Sequence, residues 1–296
     1  MYDIKETYRA HSIEEALALL EGHPGAVLVN GGTDVMIRMK EGKLTDAVLI
    51  SIMDVPEIIG ISLRENGDIA IGAGTCFQDI YHNEVIRGAV PALAHAANQV
   101  GSPQIRHVAT IGGNLCNGAV SADSVPILLA MNAELELAGA QGTRRVALTQ
   151  FHTGPGKTVL QKGRELLTAI VIPKEEYAGR YGSYIKFGQR NAMEIATLGA
   201  AVCLKLQANK TRLEDIRIAF SVAGPTPLRC AKTEAALKGM ALTGDMVKVL
   251  RQGVIQEVQP RDSWRASKQL RLQLVKELGE RALRQAAEEA GGTIHD

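Results

Sequence analysis

Two short glycine-rich segments carry the residue types best suited to ligand binding in this chain. The first glycine loop is residues 29–34 (VNGGTD), and the second glycine loop is residues 109–114 (ATIGGN), with Asp123 a little beyond it. Glycine admits positive φ and lets a ligand approach the peptide N–H groups, and successive N–H groups form an anion-binding concavity. Together the loops predict a site for a phosphate-bearing cofactor, although either loop alone is equally typical of a tight turn.

One lysine lies where an apolar side chain would be expected. Lys186 stands between Ile185 and Phe187 in a strand-like run. Two interpretations are open at this point. The lysine is either an edge-strand residue that faces water, or a cation directed at a bound cofactor, where it would stabilise negative charge.

A group of basic residues near the single tryptophan has helical spacing. Arg261, Arg265, Lys268 and Arg271 would share one face of a helix beside Trp264. Such a stripe is typical of a solvated face, and less often docks a partner. Tryptophan is enriched at interface hot spots, which favours the partner interpretation slightly.

Several common catalytic and nucleotide-binding motifs are excluded by their spacing. Residues 154–158 (GPGKT) resemble the end of a P-loop, but that motif needs a glycine at position 151, where this chain has Phe151. Neither glycine loop has the GxGxxG spacing of a Rossmann fold. The seven histidines form no HExxH pair, and no Gly-x-Ser-x-Gly elbow is present.

The composition limits the class of protein further. Lys and Arg total 33 against 32 Asp and Glu, so the chain lacks the basic footprint of a nucleic-acid binder or a membrane-surface protein. The most apolar stretch, residues 195–204, is too short to span a bilayer, and residues 1–12 do not resemble a signal peptide. The four cysteines have no CxxC spacing, which argues against a metal or iron–sulfur site in this chain. We expect a cytoplasmic protein with reduced thiols.

The elements that must position the loops can be predicted from capping and periodicity. Ser12 with Glu15 forms a capping box that predicts a helix over 12–21, and the apolar strand 26–29 runs into the first glycine loop. A helix is expected after Asp34. Further expected strands are 47–52, 69–71, 133–138, 144–148 and 166–172, and further expected helices are 75–81 and 91–98.

The remainder of the chain predicts a second, smaller domain. A polar, turn-rich segment places the boundary between residues 177 and 178, giving domains 1–177 and 178–296. Three strands are expected at 183–187, 198–206 and 215–222, followed by helices and a long charged helix from Trp264 to about Ala290. Strands followed by helices indicate an α+β fold.

With these segments in view, the chain resembles the FAD-binding subunit of molybdenum hydroxylases. The resemblance is greatest to the separate flavin subunit of bacterial three-subunit xanthine dehydrogenases, and it covers essentially the full length. The segments that carry it are 30–34, 104–106, 109–114, 121–123, 151–157, Lys186, 223–227 and 260–268. The segment around Trp264 is the part most particular to the xanthine dehydrogenase branch.

The resemblance implies a fold and a set of cofactor-binding residues. The fold is a two-part FAD-binding region of the PCMH/VAO type, followed by a C-terminal domain of the CO dehydrogenase flavoprotein type with three antiparallel strands flanked by helices. The implied FAD-binding residues are Val27, Leu28, Val29, Asn30, Gly31, Gly32, Thr33, Asp34, Ala109, Thr110, Ile111, Gly112, Gly113, Asn114, Asp123, Leu166 and Lys186.

Within that set, the resemblance suggests different roles. Both loops would hold the FAD diphosphate, Asp123 would lie on the ribose side, and Asp34 and Lys186 would be nearest the reactive ring. Relatives commonly carry alanine in place of Asn30, and asparagine is small enough for the turn. No side chain is expected to act as a catalytic acid or base, and no metal ligand is expected.

The resemblance also implies an electron relay with two other subunits. A molybdopterin-binding subunit would oxidise the substrate, a subunit with two [2Fe-2S] clusters would carry the electrons, and FAD here would pass them to NAD+. The alternatives are a related hydroxylase acting on carbon monoxide, nicotinate or an aromatic thioester, and a non-enzymatic scaffold whose glycine loops are plain turns. No nucleic acid or membrane partner is expected.

Overall fold

A small parallel sheet precedes the first glycine loop. The computed structural model describes residues 2–295, and its first sheet has the order β1-β3-β2. Its elements are β1 (Ile4–Arg9), α1 (Ile13–Gly22), β2 (Val27–Val29), α2 (Val35–Lys40) and β3 (Ala47–Ser51). Helix α1 begins as predicted at Ser12, whose hydroxyl accepts a hydrogen bond from the N–H of Glu15 at 3.0 Å. The first glycine loop therefore connects the end of an edge strand to a short helix.

A five-stranded antiparallel sheet forms the centre of the N-terminal region, residues 2–177, in the order β4-β5-β10-β6-β7. Its strands are β4 (Ile61–Leu63), β5 (Ile69–Gly72), β6 (Glu134–Gly139), β7 (Gly142–Ala147) and β10 (Glu165–Ile172), and β8 (His152–Gly154) and β9 (Lys157–Thr158) form a separate hairpin. On β6, buried Leu135 and Leu137 alternate with half-exposed Glu134 and Glu136. One face of this sheet is therefore apolar and in contact with a core.

Short helices accompany these strands, and most of them contribute buried residues to the core on that face. They are α3 (Phe77–His82), α4 (Glu84–Ala89), α5 (Pro91–Asn98), α6 (Pro103–Arg106), α7 (Ile111–Cys116), α8 (Val125–Ala130), α9 (Leu148–Phe151) and α10 (Lys174–Tyr177). All six residues of α8 are buried, and Ile127 and Leu128 belong to the same core as Leu135 and Leu137 of β6. The second glycine loop forms the start of α7.

The C-terminal region contains a four-stranded antiparallel sheet, so the expectation of three strands is corrected. The strands are β11 (Tyr181–Phe187), β12 (Leu198–Leu206), β13 (Leu213–Ser221) and β14 (Leu228–Arg229), and the helices are α11 (Ala231–Leu237), α12 (Gly244–Glu257) and α13 (Lys268–Glu289). Strand β14 pairs Leu228 with Phe220 and Arg229 with Ala219. A two-residue strand is too short to show any periodicity, and for that reason it was missed.

Both faces of this C-terminal sheet are buried. Ala201 and Cys203 belong to the core shared with the N-terminal region. Val202 and Phe220 belong to a second core, shared with α12 and α13. Because successive side chains on a strand point to opposite faces, β12 is buried and free of charged residues from Leu198 to Leu204. The predicted boundary between residues 177 and 178 lies between α10 and β11.

The prediction that the final helix begins at Trp264 is wrong. Helix α13 begins at Lys268, because the Ser267 hydroxyl caps it by accepting a hydrogen bond from the N–H of Leu270 at 3.1 Å. Arg261 and Arg265 lie before the helix, so the four basic residues do not share a helix face. No helix within residues 2–295 has the length and apolar character needed to cross a bilayer.

Candidate cofactor site

The first glycine loop presents backbone donors that the fold does not use. The N–H groups of Gly31, Gly32, Thr33 and Asp34 donate to no acceptor within residues 2–295. Gly32 has a φ of +70°, a left-handed conformation that bends the chain between β2 and α2. Consecutive N–H groups before a helix form a concavity suited to an anion. This loop has the donors that the sequence predicts.

The two glycine loops are in direct contact through Gly31. A Cβ atom on Gly31 would lie 1.7 Å from the carbonyl oxygen of Val108, the residue directly before the second loop. No side chain fits at that distance. Glycine is therefore required here for close approach of two backbones, and the contact places the two glycine loops side by side.

Most backbone N–H groups of the second glycine loop already donate hydrogen bonds within the protein. The N–H of Ile111 donates to Thr75 O at 3.1 Å, and the N–H of Gly112 donates to Ala73 O at 2.8 Å. A Cβ on Gly112 would lie 2.6 Å from Ala73 Cβ, whereas a Cβ on Gly113 would meet only the Thr110 hydroxyl, at 3.0 Å. Gly112 is thus a packing contact, and Gly113 faces open space beside its own threonine cap.

A third segment contributes to this region and was missed by the sequence analysis. Residues 72–75 (GAGT) leave the apolar strand β5 and supply the carbonyl acceptors for the second loop. A Cβ on Gly74 would lie 3.0 Å from the Nδ2 atom of Asn30 in the first loop. The signal that could have identified this segment was a third pair of closely spaced glycines directly after an apolar strand.

Asn30 has an unused buried donor. Its Nδ2 atom is fully buried and has no hydrogen-bond partner in residues 2–295. Leaving a buried amide donor unpaired costs about 1–3 kcal/mol. A group that accepts hydrogen bonds at the first glycine loop would remove that cost.

Asp34 connects the first loop to the end of α7. The Nδ2 atom of Asn117 donates to Asp34 Oδ1 at 3.0 Å. Burial raises the pKa of Asp34, while Arg38 and the hydrogen bond from Asn117 act in the opposite direction. The carboxyl is therefore held in a defined place at the edge of the loop.

Asp123 and Lys186 form a buried ion pair between the two regions of the chain. Lys186 Nζ lies 2.8 Å from Asp123 Oδ2, with the side chains 9% and 10% exposed, and it also donates to Gln99 O at 2.9 Å. The Tyr184 hydroxyl donates to Asp123 Oδ1 at 2.9 Å. Burial raises the pKa of Asp123, and the Lys186 ammonium opposes that shift. The interpretation of Lys186 as a water-facing edge residue is wrong, although β11 is an edge strand.

The remaining predicted residues line the same part of the fold. Asn114 Oδ1 accepts a hydrogen bond from the Ser124 hydroxyl at 2.8 Å, which ties the second loop to the neighbour of Asp123. Leu166 on β10 is buried in a cluster with Ile50 and Ile58, and Leu28 packs against that cluster. Val27 and Val29 are half-buried on β2, while Ala109 is buried and its carbonyl accepts from the N–H of Phe77.

This arrangement fits an extended anionic cofactor bound at the backbone contact between the loops. Four free N–H groups, an unpaired buried amide and the open space beside Gly113 all lie in the paired loops. Residues 2–295 contain no group of three or more His, Cys, Asp or Glu side chains placed to hold a metal ion. The groups that remain available in the paired loops are hydrogen-bond donors.

Comparison with protein families gives two matches that together span most of the chain. Residues 2–175 match the FAD binding domain in molybdopterin dehydrogenase, and residues 183–286 match the CO dehydrogenase flavoprotein C-terminal domain. The first match contains every predicted site residue except Lys186.

Individual relatives are similar over nearly their whole length. The xanthine dehydrogenase FAD-binding subunit of Escherichia coli O157:H7 is 37% identical over 294 residues, covering 99% of this chain and 100% of that protein. The glyceraldehyde dehydrogenase medium chain of Sulfolobus acidocaldarius is 32% identical over 288 residues, covering 97% and 100%. In the solved structure of carbon monoxide dehydrogenase from Hydrogenophaga pseudoflava, one chain matches with a TM-score of 0.91 and 29% identity, covering 98% of this chain and 99% of that one.

Proposed function

Because the chain belongs to the family of FAD-binding subunits of molybdenum hydroxylases, we propose that it is the flavin subunit of a xanthine dehydrogenase. In this role it passes electrons from iron–sulfur clusters through FAD to NAD+. The chain binds FAD and is an oxidoreductase subunit. The observation that carries the xanthine assignment is the 37% identity, over the full length, to a xanthine dehydrogenase FAD-binding subunit.

We assign the cofactor diphosphate to the first glycine loop in particular. The N–H groups of Gly31, Gly32 and Thr33 are free to donate to phosphate oxygens, and Asn30 Nδ2 is a further donor. The second loop contributes shape, because Gly112 allows close packing on Ala73 and Gly113 leaves room beside it. Asp123, Leu166 and Lys186 remain proposed contacts for the rest of the cofactor.

When bound, FAD would supply the redox chemistry, as an electron acceptor and hydride donor. The residues of this chain bind and orient it. Lys186 is held by Asp123 and by Gln99 O, so its charge has a fixed position between the two regions. Asp34 is fixed by Asn117.

The proposed partners are a subunit with two [2Fe-2S] clusters and a molybdopterin-binding subunit. A metal cluster needs a set of closely spaced thiolate or imidazole ligands, and residues 2–295 contain no such set. Substrate oxidation and cluster-mediated transfer would therefore take place in other chains. Cys76, Cys116, Cys203 and Cys230 are free cysteines, and a cytoplasmic location is part of the proposal.

A second candidate is the flavin subunit of a related hydroxylase acting on carbon monoxide, nicotinate or an aromatic thioester. The TM-score of 0.91 to a chain of carbon monoxide dehydrogenase supports this second candidate. Because the substrate would bind in another subunit, the FAD site itself does not separate these candidates.

Copurification with activity measurement tests the proposal. The chain is produced together with the two candidate partner subunits, and the purified complex is assayed with xanthine, nicotinate and carbon monoxide, each with NAD+ or a dye acceptor. We expect NADH to form with xanthine as the substrate, and not with nicotinate or carbon monoxide. Dye reduction by xanthine without NADH formation would refute the NAD+ assignment, and activity with only another substrate would refute the xanthine assignment.

We expect Gly113→Val to weaken FAD binding at least about tenfold while the chain still folds. A Cβ at this position would meet only the Thr110 hydroxyl, at 3.0 Å, and the branched side chain would block approach to the loop backbone. The measurement is the dissociation constant for FAD from the quenching of flavin fluorescence, alongside the melting temperature. Unchanged FAD affinity in a folded variant would contradict the placement of the cofactor against the second loop.

A further inference from the structure

A tight turn before α13 displays the tryptophan to solvent. Ser263 and Ala266 pair as an isolated β-bridge, and the N–H of Ser263 donates to Ala266 O at 3.0 Å. Trp264, at the tip of this turn, is 81% exposed, and the Arg265 guanidinium lies 4.1 Å from the centroid of its ring. Tryptophan is among the residue types enriched at interaction hot spots.

A buried arginine holds the turn in place. Arg271 is only 3% exposed, and its guanidinium donates to Ser263 Oγ at 2.8 Å, to Thr197 O at 3.3 Å and to Arg261 O. Burying a guanidinium needs full compensation by hydrogen bonds. In this chain that compensation fixes the position of the turn that carries Trp264.

The same arrangement joins the turn to a second exposed loop. Gln189 Nε2 donates to Arg265 O at 3.0 Å, and Arg271 reaches Thr197 at the end of the loop that contains residues 188–197. This loop exposes Met193 by 65% and Ile195 by 51%. We call the surface formed by Trp264, Met193 and Ile195 the tryptophan surface.

The rim of the tryptophan surface carries uncompensated positive charge. The side chains of Arg261, Arg265 and Lys268 form no ion pair with any carboxylate of residues 2–295, and the nearby acid Asp262 accepts only the Lys268 N–H. Most other arginines of the chain pair with Glu or Asp. An apolar centre with a basic rim is complementary to an acidic protein surface.

We propose that the tryptophan surface docks an acidic surface of another subunit of the enzyme complex, with Trp264 as the central anchor. This inference rests on the proposed function, since it requires that the chain work in a multi-subunit assembly. Trp264 would be covered by the partner, and Arg261 and Arg265 would pair with its carboxylates. Arg271 would act as a positioning residue that keeps the turn rigid before association.

The test uses the complex formed by co-production with the two candidate partner subunits. Two variants remove the anchor or reverse the rim: Trp264→Ala, and the double change Arg261→Glu with Arg265→Glu. Two matched controls alter similar groups elsewhere: Leu63→Ala, which is 56% exposed on β4, and Lys162→Glu with Arg164→Glu, which are exposed and unpaired. Light scattering after size exclusion gives the fraction assembled over a dilution series and in rising NaCl.

We expect each tryptophan-surface variant to weaken assembly by at least about tenfold, and neither control to do so. The rim variant should also show a flatter dependence on NaCl than the unaltered chain. FAD content and melting temperature should stay unchanged, which separates lost docking from misfolding.

Three outcomes would overturn the inference in distinguishable ways. Full assembly of both variants would show that the tryptophan surface is solvated, and would leave the proposed function intact. Loss of a dimer of this chain, with the other subunits still bound, would assign the surface to a second copy. Failure of the unaltered chain to assemble with either subunit would refute the proposed function as well.

Discussion

Replacing Gly31 with alanine is expected to abolish FAD binding and to destabilise the chain by about 3 kcal/mol, the upper end for overpacking. A Cβ at this position would lie 1.7 Å from Val108 O and 2.5 Å from Val108 C, so the backbone of one glycine loop must move away from the other. That movement separates the free N–H groups of the first loop from the second loop. Flavin absorbance of the purified protein and its melting temperature measure both effects.

A glycine without neighbours provides the matched control for this substitution. Gly88 lies in α4, and a Cβ there would meet nothing within 4 Å. We expect Gly88→Ala to retain FAD and to be neutral or slightly stabilising, because alanine favours a helix over glycine. A Gly31→Ala protein with full FAD content would show that the two loops do not form one cofactor site.

Replacing Lys186 with methionine is expected to destabilise the folded chain by about 3–5 kcal/mol, because Asp123 is left as a buried carboxylate without its cation. The remaining partner of Asp123 is the Tyr184 hydroxyl. Urea denaturation with saturating FAD and without FAD measures the free energy of unfolding. The double variant with Asp123→Asn should recover part of the loss, since no charge is then buried.

The loss of folding stability in the Lys186→Met single variant is expected to depend on pH. Burial already raises the pKa of Asp123 in the folded state, and loss of Lys186 removes an effect that lowers it. A carboxyl with a raised folded pKa destabilises the fold once the unfolded chain ionises, so the deficit should be smaller at about pH 5 than at about pH 8. Lys205→Met is the matched control, because its pair with Glu214 is 41% and 48% exposed and contributes about 0–1 kcal/mol. A deficit as small as that of the control would contradict the role of Lys186.

The elements of the fold that could be predicted are those set by local signals. Ser12 caps α1 where expected, and the strands at 69–71 and 166–172 are present with shifts of one residue. Predictions failed where a tertiary contact decides the structure. Arg271 holds Ser263 and Arg261 in a turn. The spacing of the four basic residues Arg261, Arg265, Lys268 and Arg271 is nevertheless typical of a helix. Strand β14 forms because it pairs with the edge of β13.

The site shows the same division between local and distant causes. The glycines of both loops are visible in the sequence, but their separate reasons are not. Gly31 is required because the Val108 backbone lies against it, and Gly112 because Ala73 lies against it. Neither contact is local in sequence. The partnership of Asp123 with Lys186 joins residues 63 positions apart across the predicted domain boundary. Periodicity gives no information about such a contact, although an isolated lysine in an apolar strand was a sign that a partner existed.

The outer face of the C-terminal sheet is covered by α13, and this placement has a consequence while the chain is being made on the ribosome. Gly279 of this helix lies directly over the ring of Phe220, which Val202 accompanies in the same core. Until residues 268–289 emerge, only α11 and α12 can cover these apolar strand residues, although β11, β12 and β13 have already been synthesised. We expect the growing polypeptide to depend on chaperones at that stage, since exposed sheet faces aggregate. A ribosome stalled before residue 268 would therefore hold an aggregation-prone intermediate, even though every residue of the proposed cofactor site had been translated.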